Sequence, residues 1–228
     1  MTGTQINDDI RVGIPEDAAD YYTAVAILRY MNNAILTIFG MMPNDALIAS
    51  GTAGSLGVST SLSVIGAVSS VALPADFGRF LSAHITYGTT QTANRARLYQ
   101  HAQIPSTSLA ATDLRSLGIT YDSPVCWLAG VDLHFRPINA SGNGSIELHY
   151  IKVPTAMTAL SDTVPLPVEL HPLVAPHCIA QAKYRERNYV EASEMFNLWQ
   201  ARADAYARRI FGRHGAENTG LSTVLPIP

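Results

Sequence analysis

Between Pro15 and Pro43 the apolar residues Tyr22, Val25, Ile27, Leu28, Met31, Ile35, Ile38 and Phe39 recur at close intervals, among them steps of three and four. Glu16, Asp17 and Asp20 precede them, carboxylates suited to the positive end of a helix dipole. The pattern predicts one long helix over Glu16–Phe39. Its apolar residues cover more than one face, as in a helix enclosed by neighbours. At the other end of the chain the same spacing returns in Ala192, Met195, Phe196, Trp199, Ala203, Tyr206 and Ile210. Glu191 and Glu194 come early in that stretch, Arg208 and Arg209 late, and Gly212 ends it. Asn188 with Glu191 three residues on resembles an N-cap with a reciprocal partner, so this helix follows a shorter one, His177–Arg187, after a tight joint. Pro172 fits a helix start and Pro176 makes its first turn irregular. The expected helical core is Tyr22, Val25, Ile35, Met195, Phe196, Trp199, Tyr206 and Ile210.

The middle of the chain changes period. From Ala46 to Ala75 there is no charged residue, and Gly, Ser, Thr and β-branched residues dominate. Alternations around Val58–Thr60 and Val64–Val71 predict extended chain punctuated by glycine. Further strands are expected at Ser82–Tyr87, Ala96–Gln100, Pro124–Phe135 and Ser145–Val153. In Pro124–Phe135, Leu128, Val131, Leu133 and Phe135 are apolar with Asp132 and His134 between, the two-residue period of a half-buried strand. Asn139–Gly144 reads as a turn. The fold class is therefore α+β: an α-helical bundle of a long N-terminal helix and two C-terminal helices, carrying a β-rich insertion. The expected division is an N-terminal arm (1–14), a helical core (15–45 and 165–212), a β-rich insertion (46–164) and a C-terminal tail (213–228). The tail closes on Val224-Leu225-Pro226-Ile227-Pro228, an apolar tip on a polar leash suited to docking on another chain.

Composition adds a reason to look for partners. Of the 228 residues 47% are hydrophobic and only 14% charged, against roughly 25% charged in ordinary soluble domains. Lysine occurs only at Lys152 and Lys183, the other basic residues being Arg. Interfaces favour Arg, whose planar guanidinium desolvates more readily than an ammonium. A net charge of -3 provides no global attraction for nucleic acid. Ala18–Phe39 is long enough to cross a bilayer. Arg29 near its centre, with Asp20, Asn32 and Asn33, costs more than the aliphatic residues return, so no membrane partner is expected. The N-terminus lacks the basic and apolar regions of a signal peptide, and synthesis in a cytoplasm is expected.

Candidate chemistry is sparse. His134 and His149 could face each other across a hairpin, and His171 and His177 flank a proline turn, but neither pair has further ligands at metal spacing. Cys178 follows His177, and adjacent helical residues point about a hundred degrees apart, which separates a thiol from its base. Cys126 and Cys178 form neither a disulfide framework nor a zinc pattern and read as small buried hydrophobes. No GxSxG occurs, and the glycines between Gly51 and Gly66 lack the ending of a phosphate-cradling loop. No catalytic, cofactor-binding or metal site is expected, and an enzyme is not.

Three phrases carry a resemblance. Val71-Ala72-Leu73-Pro74-Ala75-Asp76-Phe77-Gly78-Arg79 resembles the segment at which head-to-tail adaptor proteins of tailed bacteriophages enter a strand-rich insertion. Ile146-Glu147-Leu148-His149-Tyr150-Ile151-Lys152-Val153-Pro154 resembles the same family's exit strand. Thr158–Asp162 and Leu166–Val174 resemble its approach to the final helices. The order and separation are closest to tail tubular adaptors with a β insertion. The resemblance implies a virion neck protein, assembled in the host cytoplasm as a ring, commonly of twelve subunits. Such a ring sits under the portal protein, extends the channel through which double-stranded DNA passes without sequence-specific binding, and presents a platform for tail or nozzle proteins. It further implies a portal-side contact through the C-terminal segment, here Leu221, Val224, Leu225 and Ile227. The alternative is another virion module, such as a capsid cement or tail-completion protein working through its β middle.

Overall fold

A computed structural model describes residues 1–14, 22–48, 55–65, 68–88, 93–99, 118–138 and 143–211, the side chains of Ile65, Asn143, Ile210 and Phe211 excepted. Within these the chain is mixed α+β, with five α-helices and two four-stranded sheets, divided into two compact units. One unit is built from both ends of the chain, Met1–Ser55 and Pro154–Pro228; the other is Leu56–Val153.

The first unit opens with α1, Gly3–Val12, where an arm was expected. Thr2 and Gln5 form a reciprocal capping box, the Thr2 hydroxyl accepting from Gln5 N–H and the Gln5 side chain accepting from Thr2 N–H at 3.0 Å. Ile6 and Ile10, one turn apart, are buried, which fixes the segment as a packed helix. Helix α2 runs Ala24–Met41, starting later than the expected Glu16. Its cap is Thr23, whose hydroxyl accepts from Ala26 N–H at 3.3 Å; Glu16, Asp17 and Asp20 lie outside the described residues. Helix α2 is long and apolar enough to cross a membrane, and Ile27, Met31, Ala34, Ile35 and Ile38 are buried along one of its faces. A short α3, Asn44–Ile48, buries Ala46 and Leu47. After the insertion, a 3₁₀ turn over Val168–Leu173 containing Pro172 leads into α4, Val174–Arg185, and α5, Tyr189–Phe211. Helix α4 packs against α1, α2 and α5.

The return from the insertion is pinned to this unit. The Asn32 amide donates to the Met157 carbonyl at 3.0 Å and accepts from Met157 N–H at 2.8 Å. The N-terminal amine lies 3.0 Å from His171 Nδ1, and Gly3 N–H donates to the Asp162 carbonyl at 2.9 Å. Residues on both sides of the expected 46–164 boundary thus belong to the helical unit: Ala46 and Leu47 in α3, and Met157 in this return.

The second unit contains β1 Gly57–Ile65, β2 Ser70–Ala72, β3 Phe77–Tyr87, β4 Asn94–Arg95, β5 Arg97–Leu98, β6 Val125–Ala129, β7 Asp132–Arg136 and β8 Asn143–Lys152. The sheet orders are β1-β8-β3-β4 and β2-β7-β6-β5. Inward residues of both, including Ile85, Tyr87, Leu133, Phe135, Ile146 and Leu148, form one core, as in a sandwich. The single strand expected over Pro124–Phe135 is a hairpin, β6–β7, because Gly130 adopts φ 62° and turns the chain. Val131 lies at its tip, 77% exposed. Of the expected Ala96–Gln100 strand, Arg97–Leu98 forms β5; β4, just before it, belongs to the other sheet, with buried Ala96 between them, and Gln100 lies outside the described residues. The turn expected over Asn139–Gly144 already contains the start of β8 at Asn143; residues 139–142 lie outside the described set.

Candidate protein-docking site

The joint between α4 and α5 sets the geometry of the site. Arg187 adopts φ 63°, and the Asn188 side chain accepts from Glu191 N–H at 3.4 Å, capping α5 as its sequence predicts. The reciprocal half is replaced. The Glu191 carboxylate pairs with Lys183 Nζ at 3.0 Å, and that ammonium, with the Asn188 contact, holds the Glu191 carboxyl below the usual carboxylate range. The sharp reversal brings the Tyr184 and Tyr189 rings edge to face at 5.2 Å.

Helix α2 lies against this hairpin. The hydroxyl of Tyr22, two residues before α2, donates to the Ala182 carbonyl at 3.0 Å and to a Glu186 carboxylate oxygen at 2.9 Å, and Arg185 donates to the Tyr30 hydroxyl at 3.3 Å. Between α2, α4 and α5 an open groove of about 980 Å³ remains, lined by Val25, Arg29, Tyr30, Tyr184, Tyr189 and Phe196 among others. Val25 was expected in the core; it is 77% exposed on the groove, because the buried face of α2 passes through Ile27 and Met31 instead. Tyr184 is 66% exposed and Tyr189 56%.

The other expected core positions distribute by depth. Tyr22, Ile35 and Trp199 are buried; Met195, Phe196 and Tyr206 are half-buried. Ile210 lies in α5, its side chain outside the described set. Leu221, Val224, Leu225 and Ile227 fall outside the described residues.

The two cysteines are fully buried. Burial pushes the Cys126 thiol up to about 12 and raises Cys178 further, so both stay protonated, the poor form for nucleophilic attack. His177 is packed between Phe196, 5.9 Å away, and Trp199, 4.8 Å away, and burial lowers its pKa to about 4. His134 and His149, a possible facing pair, lie in different sheets: His134 in β7 stacks on Trp127 at 5.4 Å, whereas β8, which carries His149, pairs with β1 and β3.

The exposed groove carries tyrosine and arginine, residues that protein interfaces concentrate. The family comparison gives that surface its setting. Residues 1–224 match the model of the SU10 adaptor protein family, and the chain belongs to that family of phage head-to-tail adaptors. It is accordingly a structural virion component of the head–tail junction. A search of curated proteins finds no match.

Proposed function

We propose that the protein forms a closed ring of about twelve copies joining the portal to the tail and extending the DNA channel, and that the α2–α4–α5 groove receives the neighbouring copy. Family membership carries the first part and the groove the second. A ring built from one chain needs two different, complementary faces on each subunit. The groove offers an apolar floor with Arg29 on its lining. The same unit offers α1, on which Asp8 and Asp9 are exposed with Arg11, and Val12 is 90% exposed, an apolar edge whose two carboxylates outnumber its one guanidinium. Lateral contacts of this kind fit the shortage of charge in the sequence. The C-terminal segment around Leu221–Ile227 is the proposed portal contact, assembly is placed in the host cytoplasm, and the net negative charge lets DNA pass without adhering.

The test replaces Val25 or Tyr184 with Asp. Both side chains face water in the single chain, so each variant should melt within about 2 °C of the parent, as surface changes do. Native mass spectrometry and negative-stain imaging should show rings for the parent and single chains for the variants. Intact rings in both variants would remove the groove from the lateral contact.

A further inference from the structure

The polar face of the first sheet carries a constellation that adaptor function does not require. Along β3 and β8, Ala83, Ile85, Tyr87, Ile146, Leu148 and Tyr150 are buried in the sandwich core, so the alternate residues project from the opposite face. Register places His84 directly across from Glu147, with His149 two residues further along β8. Two imidazoles and a carboxylate, distant in sequence, therefore meet on one surface. Their ligand atoms lie within 4.8 Å of one another.

The geometry points to a divalent transition-metal site, zinc by donor type, ligated by His84, Glu147 and His149. Donors around a tetrahedral zinc at about 2.0–2.1 Å stand roughly 3.3 Å apart. His149 Nε2 and Glu147 Oε1 are already 3.5 Å apart. The His84 and His149 rings meet edge to face with centroids at 5.4 Å, so small rotations of these partly exposed side chains complete the set. Ser59 on β1 donates to Glu147 Oε1 at 3.2 Å, the kind of outer hydrogen bond that orients a ligating carboxylate. Arg95, across from His84 on β4, is a cation that weighs against a second positive charge, and the Glu147 carboxylate offsets it. Three protein donors leave a fourth position at the sheet surface for water. The ion would clamp β3 to β8 across the centre of the sheet.

The experiment titrates the full chain, freed of metal, with zinc chloride in a calorimeter and repeats it with cobalt(II), whose visible spectrum reports tetrahedral coordination. Expected are one ion per chain and a melting temperature raised by about 5–10 °C at hundredfold excess over Kd. His84→Ala and His149→Ala should each lower zinc affinity at least about 100-fold, and Ser59→Ala about 10-fold. His134→Ala, in the other sheet, should bind as the parent does. Metal-free melting curves that coincide with the parent's establish that the variants fold. No saturable binding by the parent, or parental affinity in His84→Ala or His149→Ala, would overturn the site. So would an equal loss in His134→Ala.

Discussion

Acid should loosen the helical unit through one imidazole. His177 sits on α4 against Phe196 and Trp199 of α5, and its Nδ1 is buried without a hydrogen-bond partner. Burial disfavours the charged ring and lowers its pKa from 6.5 to about 4. A histidine whose folded-state pKa lies below its unfolded value favours folding while both states are neutral. That contribution is whole above pH 6.5 and is lost as pH falls toward 4, because the unfolded chain takes up the proton first. At about 1.4 kcal/mol per pH unit the full loss is about 3 kcal/mol, of which about 2 kcal/mol falls between pH 7 and pH 5. For a chain of this size that corresponds to roughly 4–8 °C in melting temperature. His177→Phe keeps an aromatic ring against Phe196 and Trp199 and removes the titration. Far-UV circular dichroism melts of parent and variant at both pH values measure the difference. The parent should lose about 4–8 °C more than the variant. His171, which burial also lowers, beside the N-terminal amine and the Leu166 carbonyl, titrates in both proteins and cancels in the comparison. Equal acid losses in the two proteins would refute the assignment.

Two further substitutions probe the same unit. Trp199→Ala deletes a fully buried side chain and should cost about 3–5 kcal/mol in urea unfolding; Trp199→Phe should cost far less, since the indole N–H has no partner to lose. Gly3→Ala would improve an isolated helix, but here a Cβ would stand 2.5 Å from Met157 Cε and 2.8 Å from the Leu160 carbonyl oxygen. A loss of about 1–3 kcal/mol is expected, and a gain in stability would show that the α1 contact is absent in solution.

Periodicity was informative where one face meets a continuous core. Trp199 and Ala203 are buried along α5, and Leu133 and Phe135 point inward from β7, as their spacings require. It failed where the decisive contact is local or remote. Helix α1 has only Ile6 and Ile10 as buried apolar side chains, too few to rise above a polar stretch, although Thr2 and Gln5 carried its capping signal. Val25 shares the apolar pattern of α2 but falls on the groove, a distinction that depends on where α4 and α5 lie. The His84–Glu147–His149 group was illegible because strand order, not spacing, creates it: the eye pairs His149 with nearby His134, while the sheet pairs β8 with β3.

Because the helical unit combines segments from both sides of the sandwich, it cannot be completed until the second of them has been translated. Ile27, Met31, Ile35 and Ile38 leave the ribosome early, yet α4, against which α2 packs, begins only at Val174. At ordinary elongation rates the interval is on the order of ten seconds. The sandwich, contiguous from Leu56 to Val153, emerges in full during that wait, while the apolar face of α2 still lacks the helix it will pack on.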